Sequence, residues 1–165
     1  MRLAVTGTPG TGKTSATEAL DRPVVHLNDV VREEGLWSER DEDRDTLVVD
    51  LDACREHLGD WDGVLESHLA HRFEADRVAV LRCRPDELES RLLDRGEPAA
   101  KAAENRESEA LDVILGEAVA AHGPENVYEI DTTDLTPDEV AAELAAVAAG
   151  ERDPSAGEVD FLEYR

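Results

Sequence analysis

Three observations predict a three-layer α/β domain built on a parallel sheet. Short apolar runs of strand length alternate with helix-length segments from one end of the chain to the other. The first of these runs, RLAVT at 2–6, leads directly into a glycine-rich turn that opens a helix. The 165 residues suffice for one buried core and fall short of two ordinary domains, and no repeat or linker divides them. The expected organisation is one domain over 1–150 followed by an acidic tail, 151–165.

The elements follow in order. Residues 2–6 form a buried strand, and 14–20 (TSATEAL) a helix stopped by Asp21–Pro23. A second strand spans 24–27, and Asn28 or Asp29 caps a short helix that runs to Glu34 and stops at Gly35. The charged stretch 38–45 (SERDEDRD) is expected to be a solvated loop, and 46–49 (TLVV) an extended piece before a helix over 50–58. Strands are predicted at 63–66 and 77–83. Pro85 opens a helix to Arg95 with Leu88, Leu92 and Leu93 turned inward. After a break at 96–99, one long helix is predicted from about Ala100 to His122, then a last strand at 126–130 and a last helix at 137–149. Residues 150–165 read as a tail, either disordered or docked through Val159, Phe161, Leu162 and Tyr164.

Composition excludes several classes. Forty acidic residues against 17 basic ones give a net charge of −23, a field that repels bare nucleic acid, DNA included. Only Lys13 and Lys101 are lysines; every other basic residue is arginine. Dense carboxylates with so little lysine suit a high-salt cytoplasm, where salt screens their repulsion, and predict loss of structure at low salt. No apolar run approaches the roughly 18 residues of a membrane span, and the start of the chain has no signal-peptide plan, so a cytoplasmic protein is expected. Cys54 and Cys83 form no metal-ligand spacing and are expected to be free thiols.

The strongest motif is Gly7-Thr8-Pro9-Gly10-Thr11-Gly12-Lys13-Thr14, a full match to G-x-x-x-x-G-K-[ST] between a strand and a helix. Glycines let successive N–H groups turn inward around a phosphate, and the helix N-terminus adds its positive dipole end. Gly10, Thr11, Gly12, Lys13, Thr14 and Ser15 are therefore the candidate ATP-binding residues. Lys13 is expected at the β- and γ-phosphates, the Thr14 hydroxyl at Mg²⁺ and Ser15 at the α-phosphate.

Several enzyme classes share this loop. A small GTPase needs a guanine-reading N-K-x-D, which is absent, and the D-x-x-G at 60–63 precedes its strand rather than following it. A kinase acting on a phosphorylated acceptor needs no strong base, because its acceptor oxygen is already anionic. It needs cations to relieve crowding between two phosphates. Arg32, after the second strand, and Arg91 and Arg95, four apart on one helix face, are placed for that work. The plainer alternative for Arg91 and Arg95 is a surface ion-pair ladder with Glu87.

GTPGTGKT, HLNDVVREEGL (26–36), VLESH (64–68), LRCRPDELESRLLDRG (81–96) and KAAENRESEA (101–110) together resemble the archaeal and eukaryotic nuclear-type adenylate kinase family. The likeness covers about residues 1–135. It implies a nucleoside monophosphate kinase fold and adenylate kinase activity with ATP, AMP and Mg²⁺. It further implies ATPase activity and a role in small ribosomal subunit maturation, with the platform ribosomal protein as partner. Asp29 and Arg32 would lie in an NMP-binding region at about 28–50, Arg32 gripping the acceptor phosphate. A short lid at about 94–104 would bring Arg95 to ATP, with Arg91 beside it, and both arginines would close over the transferred group. Glu66 and His68 fall where the family has a D-x-H motif tied to Mg²⁺, water and hydrolysis, with Thr14 and Glu66 as metal residues. Glutamate in place of the family's aspartate lengthens the carboxylate by one methylene. His68 and His71 lack a third ligand for a metal site of their own.

Two other readings stay open at the level of sequence. One is an assembly ATPase whose nucleotide state gates binding to a basic ribosomal protein. The other is a kinase for another small metabolite, such as a sugar acid or shikimate.

Overall fold

The computed structural model describes residues 1–41 and 46–164. A five-stranded, fully parallel sheet runs in the order β2-β5-β1-β6-β7. Its strands are β1 (Arg2–Thr6), β2 (Val24–His26), β5 (Gly63–Glu66), β6 (Arg77–Arg82) and β7 (Val127–Asp131). The helices are α1 (Lys13–Glu18), α2 (Leu27–Glu34), α3 (Leu51–Leu58), α4 (Pro85–Asp94), α5 (Ala99–Ala110), α6 (Val113–His122) and α7 (Pro137–Ala149).

The period-2 alternation of the strands sorts the core onto two faces. Leu3, Val5, Ala79, Leu81 and Ile130 pack with Ala16 of α1 and Val140, Leu144 and Val147 of α7. Ala4, Val78, Val80 and Val127 face the other way, against Leu115 and Ala118 of α6, Cys54 of α3 and Val31 of α2. Both cysteines are free and buried. Helix ends follow their capping residues. Thr136 and Glu139 form a reciprocal capping box on α7, the Asp50 side chain caps α3, and Gly35 closes α2 in the left-handed conformation.

The chain leaves β1 first toward β2 and β5, then toward β6 and β7. The strand order therefore reverses at β1, and open α/β sheets place ligands outside the carboxyl ends of their strands at such a point.

Two expectations are revised, and the tail takes one of its two expected forms. The charged residues from 38 onward are not a loop as far as Asp41. They belong to β3 (Trp37–Asp41), paired antiparallel with β4 (Thr46–Val49) in a two-stranded arm; the rest of the 38–45 reading lies outside the described residues. Leu47 and Val49 of β4 pack inward, whereas β3 reads WSERD, and a strand of charged and polar residues gives no hydrophobic period.

The long helix expected from Ala100 to His122 is two helices. Asp112 breaks it with a left-handed φ of 56°. At that break the Asp112 carboxylate and the Glu109 carbonyl both accept from the buried Arg82 guanidinium. No glycine or proline marks the position, and the side chain bonded there lies 30 residues earlier in the chain.

The tail docks. Ser155 N–H donates to the Val127 carbonyl at 3.1 Å, covering the open edge of β7, and Phe161 is buried.

Candidate active site

The loop between β1 and α1 is bent by glycines, and at Gly7 and Gly10 there is no room for a side chain. A Cβ on Gly7 would stand 2.6 Å from the Leu81 carbonyl oxygen, and one on Gly10, at φ 97°, would press on Leu92 of α4 at 3.0 Å. Lys13 is only 8% exposed and folds back over this loop, donating to the carbonyls of Gly7 (2.8 Å) and Thr8 (3.2 Å). Burial lowers its pKa to about 8, against the pull of Glu66 and Glu109, and the nearby Arg95 adds to the lowering.

Glu66 ends β5 beside the loop. Its Oε1 accepts from the Thr14 hydroxyl at 3.1 Å and lies 2.8 Å from His26 Nδ1. The longer carboxylate is thus held in place from two sides. Two residues on, His68 is kept neutral; burial first, then Lys13 and His71, lower its pKa to about 4.

His71 uses both ring nitrogens elsewhere, 2.7 Å from Thr6 Oγ1 and 2.9 Å from Glu117 Oε1. Burial lowers its pKa as well.

Two adjoining hollows converge here. The smaller, about 160 Å³, lies over the loop and is lined by Gly10, Gly12, Lys13, Thr14, Ser15 and Glu66, among others. The larger, about 530 Å³, is a cleft between α2, the β3–β4 arm and the α4–α5 corner. Pro9, Asn28, His68 and Arg95 border both. Among the described residues, the cleft's charged lining is Arg32, Arg40, Arg95 and Lys101, with Glu97 the one carboxylate. Such a cationic lining in a chain of net charge −23 marks a place for anions. Val31, Leu47, Val49 and Leu92 supply an apolar wall.

Most residues anticipated from sequence meet at these hollows, and three lie elsewhere. Thr11 is buried behind the loop, its hydroxyl donating to the Thr8 carbonyl and its own carbonyl accepting from Thr132. Asp29 is exposed on α2 and lines neither hollow; Asn28 stands in its place, accepting from Ser67 Oγ at 2.9 Å. Arg91 does not reach over the phosphate hollow. Its guanidinium donates to the carbonyls of Gly10 (3.4 Å), Thr132 and Thr133 (3.3 Å each) and pairs with Glu87 at 3.6 Å. Arg91 therefore ties the loop to the turn after β7.

The cleft residues Arg40, Lys101 and Asn105 were not anticipated. Lys101, one of two lysines in the chain, carried a compositional signal. Arg40 sits on an arm that reads as solvated loop.

Known proteins resolve the family. The profile of an AAA domain family matches residues 3–112. A protein of Natronomonas pharaonis described as "Putative adenylate kinase" is 64% identical over 167 residues, with 99% of each chain covered. Relatives with the same description from Halobacterium salinarum (58%, 99% of each chain) and Methanothermobacter thermautotrophicus (41%, 96% of each) agree over nearly the full length.

The chain belongs to the archaeal adenylate kinase family.

This is a family of phosphotransferases. Among solved structures, shikimate kinase from Bacteroides thetaiotaomicron superposes with a TM-score of 0.58 at 17% identity, covering 91% of this chain and 98% of that one. Shikimate kinase from Aquifex aeolicus gives 0.51 at 15%, covering 92% and 98%. At such identities the likeness is one of fold, the P-loop kinase arrangement of a parallel sheet flanked by helices. Among the described residues no helix is long and apolar enough to cross a membrane.

Proposed function

We propose that the protein transfers the γ-phosphoryl group of ATP to a nucleoside monophosphate, AMP first among them. The observation that carries this reading is the meeting of the two hollows at His68 and Arg95, a phosphate loop on one side and a cation-lined cleft on the other. A P-loop protein that only hydrolyses ATP has no need of a second large, cationic cleft open to the same phosphates.

In this reading the loop amides and Lys13 hold the donor phosphates. Lys13 exchanges the Gly7 and Thr8 carbonyls for phosphate oxygens, and the arriving negative charge raises its pKa again. Arg32 grips the acceptor phosphate, and the apolar wall of the cleft takes the base. Arg95, paired among the described residues only with Glu97 at 3.7 Å and largely exposed, is placed to swing across the shared opening. Residues 94–104 act as the lid, excluding the water that competes as acceptor. Arg91 contributes by holding the loop against the turn after β7 rather than by touching phosphate.

The Thr14 hydroxyl and the Glu66 carboxylate, 3.1 Å apart, are hard oxygen donors at the mouth of the loop. They suit Mg²⁺, which takes one or two protein oxygens and fills its shell with water and substrate phosphate. Bound there, the ion would supply neutralisation of the β- and γ-phosphate charge.

A neutral His68 two residues from Glu66 is placed to orient a water when the acceptor is missing, which supports slow ATP hydrolysis as a side activity. The role in small ribosomal subunit maturation, with the platform protein as partner, rests on family resemblance.

Diadenosine pentaphosphate, which joins two adenosines through a phosphate chain, tests the two-hollow reading by calorimetry in high salt. It should bind far more tightly than ATP and exclude both ATP and AMP. Affinity equal to that of ATP, with AMP binding undisturbed, would contradict it.

A further inference from the structure

The phosphate loop is gripped from behind by a carboxylate that lies outside its motif. Glu109 is 2% exposed, and its Oε1 accepts from the Thr8 hydroxyl at 2.9 Å. Its Oε2 accepts from Arg82 Nε (3.1 Å) and from Cys83 N–H (2.8 Å). Arg82 is itself 1% exposed and donates to Glu129 Oε2 at 2.7 Å and to Asp112 Oδ1 at 2.5 Å. The Phe161 ring lies 5.4 Å from the Arg82 guanidinium carbon. The other oxygen of Glu129 accepts the amides of Gly157 and Glu158. A continuous run of charge-assisted bonds thus joins the docked C-terminal segment to the first turn of the loop.

Thr8 is the point in the loop where such a grip has most effect. Its carbonyl accepts from Thr11 N–H at 3.2 Å, Thr11 Oγ1 at 2.9 Å and Lys13 Nζ at 3.2 Å. Fixing the Thr8 side chain fixes the carbonyl on which the rest of the loop and its lysine are folded. A carboxylate so near a phosphate site is tolerable only when its charge is offset, and Arg82 offsets it.

We propose that Glu109 is a positioning residue for the phosphate loop, held by Arg82 beneath residues 155–161, so that docking of the C-terminal segment sets nucleotide affinity. The inference rests on the reading of the loop as a nucleotide site. It adds that a segment remote in sequence controls how well that site is formed.

The test is ADP titration of the full chain in high salt, with thermal midpoints recorded for every variant. Thr8→Val keeps the shape and removes the donor, and should weaken ADP binding about tenfold, as expected for loss of a bond to a charged group. Thr8→Ser restores the hydroxyl and should bind within about twofold of wild type, a rescue that a purely packing role would not give. Phe161→Ala, far from the loop, should weaken ADP binding about threefold by loosening the cover over Arg82. Val147→Ala, which lowers stability through the core between α7 and the sheet, should leave affinity unchanged. Thr8→Val and Phe161→Ala binding like wild type would overturn the inference, as would an equal loss of affinity in Val147→Ala. A wild-type chain that binds no ADP overturns the nucleotide reading and this inference together.

Discussion

The floor of the site and its outer wall are secured by different means. On the floor, Lys13, Thr8, Thr11 and Thr17 are all nearly or fully buried, and each is bonded within the loop, to α1 or to Glu109. On the wall, Arg32 and Arg95 are exposed, and Arg95 and Lys101 share one carboxylate, Glu97, at 3.7 and 3.4 Å. Buried charge-assisted bonds hold one geometry, whereas exposed ion pairs of this length are worth about 0–1 kcal/mol and exchange partners readily. In the proposed reading, the donor side is built in advance and the acceptor side is left to be completed by its ligand. That division is sound for a phosphoryl transfer that must shut out water only once both substrates are present.

The largest effect that can break the comparison is on the floor. Arg82→Met leaves Glu109, Glu129 and Asp112 without their shared cation, and stripping one partner from a buried network costs about 3–5 kcal/mol. Denaturant melts in high salt should show a loss of that order, together with exposure of the tail to protease. A change within about 0.5 kcal/mol would mean the floor is not held as described.

Lys13→Ala comes next. It removes the one cation inside the loop and should lower kcat roughly 10²–10³-fold while leaving the fold intact by circular dichroism. Arg32→Ala tests the wall. It should raise KM for AMP about tenfold and leave KM for ATP unchanged, because one charged contact is lost on the acceptor side alone. An equal rise for both substrates would erase the distinction between floor and wall.

A smaller effect concerns pH. The pKa of His68 falls from 6.5 to about 4 on folding, so between those values the unfolded chain binds a proton that the folded chain does not. Stability should therefore be fully present above pH 6.5 and decline as the pH falls toward 4. His68→Asn should flatten the thermal midpoint over that window, and an unchanged slope would remove His68 from the account.

The same contrast explains what could be read from the sequence. The loop, the strand before it and the strand–helix alternation are local patterns, and they placed the sheet and the phosphate hollow. Pro137–Ala149 was legible to the residue, because Pro137 and the Thr136–Glu139 box write its start and Gly150 its end. Arg32 and Arg95 were singled out from the chemistry of crowded phosphates, and both line the cleft. The interior network was not legible. Arg82 meets partners 27, 30 and 47 residues away, and nothing local distinguishes its glutamates from the many on the surface. For the same reason the helix break at Asp112 was missed. Arg91 has the spacing of a phosphate ligand, and only the fold shows that the carbonyls of Gly10, Thr132 and Thr133 claim it. Strand β3, WSERD, carries no hydrophobic period that sequence reasoning can count.

The central claim, that one hollow gives a phosphoryl group and the adjoining one receives it, is tested most directly by ADP formation from ATP and Mg²⁺ in high salt, with and without AMP. The account predicts rapid ADP production that depends on AMP, yields two ADP per AMP consumed, and is lost in Lys13→Ala. Slow ADP release that is indifferent to AMP would contradict it and leave the cleft without its acceptor.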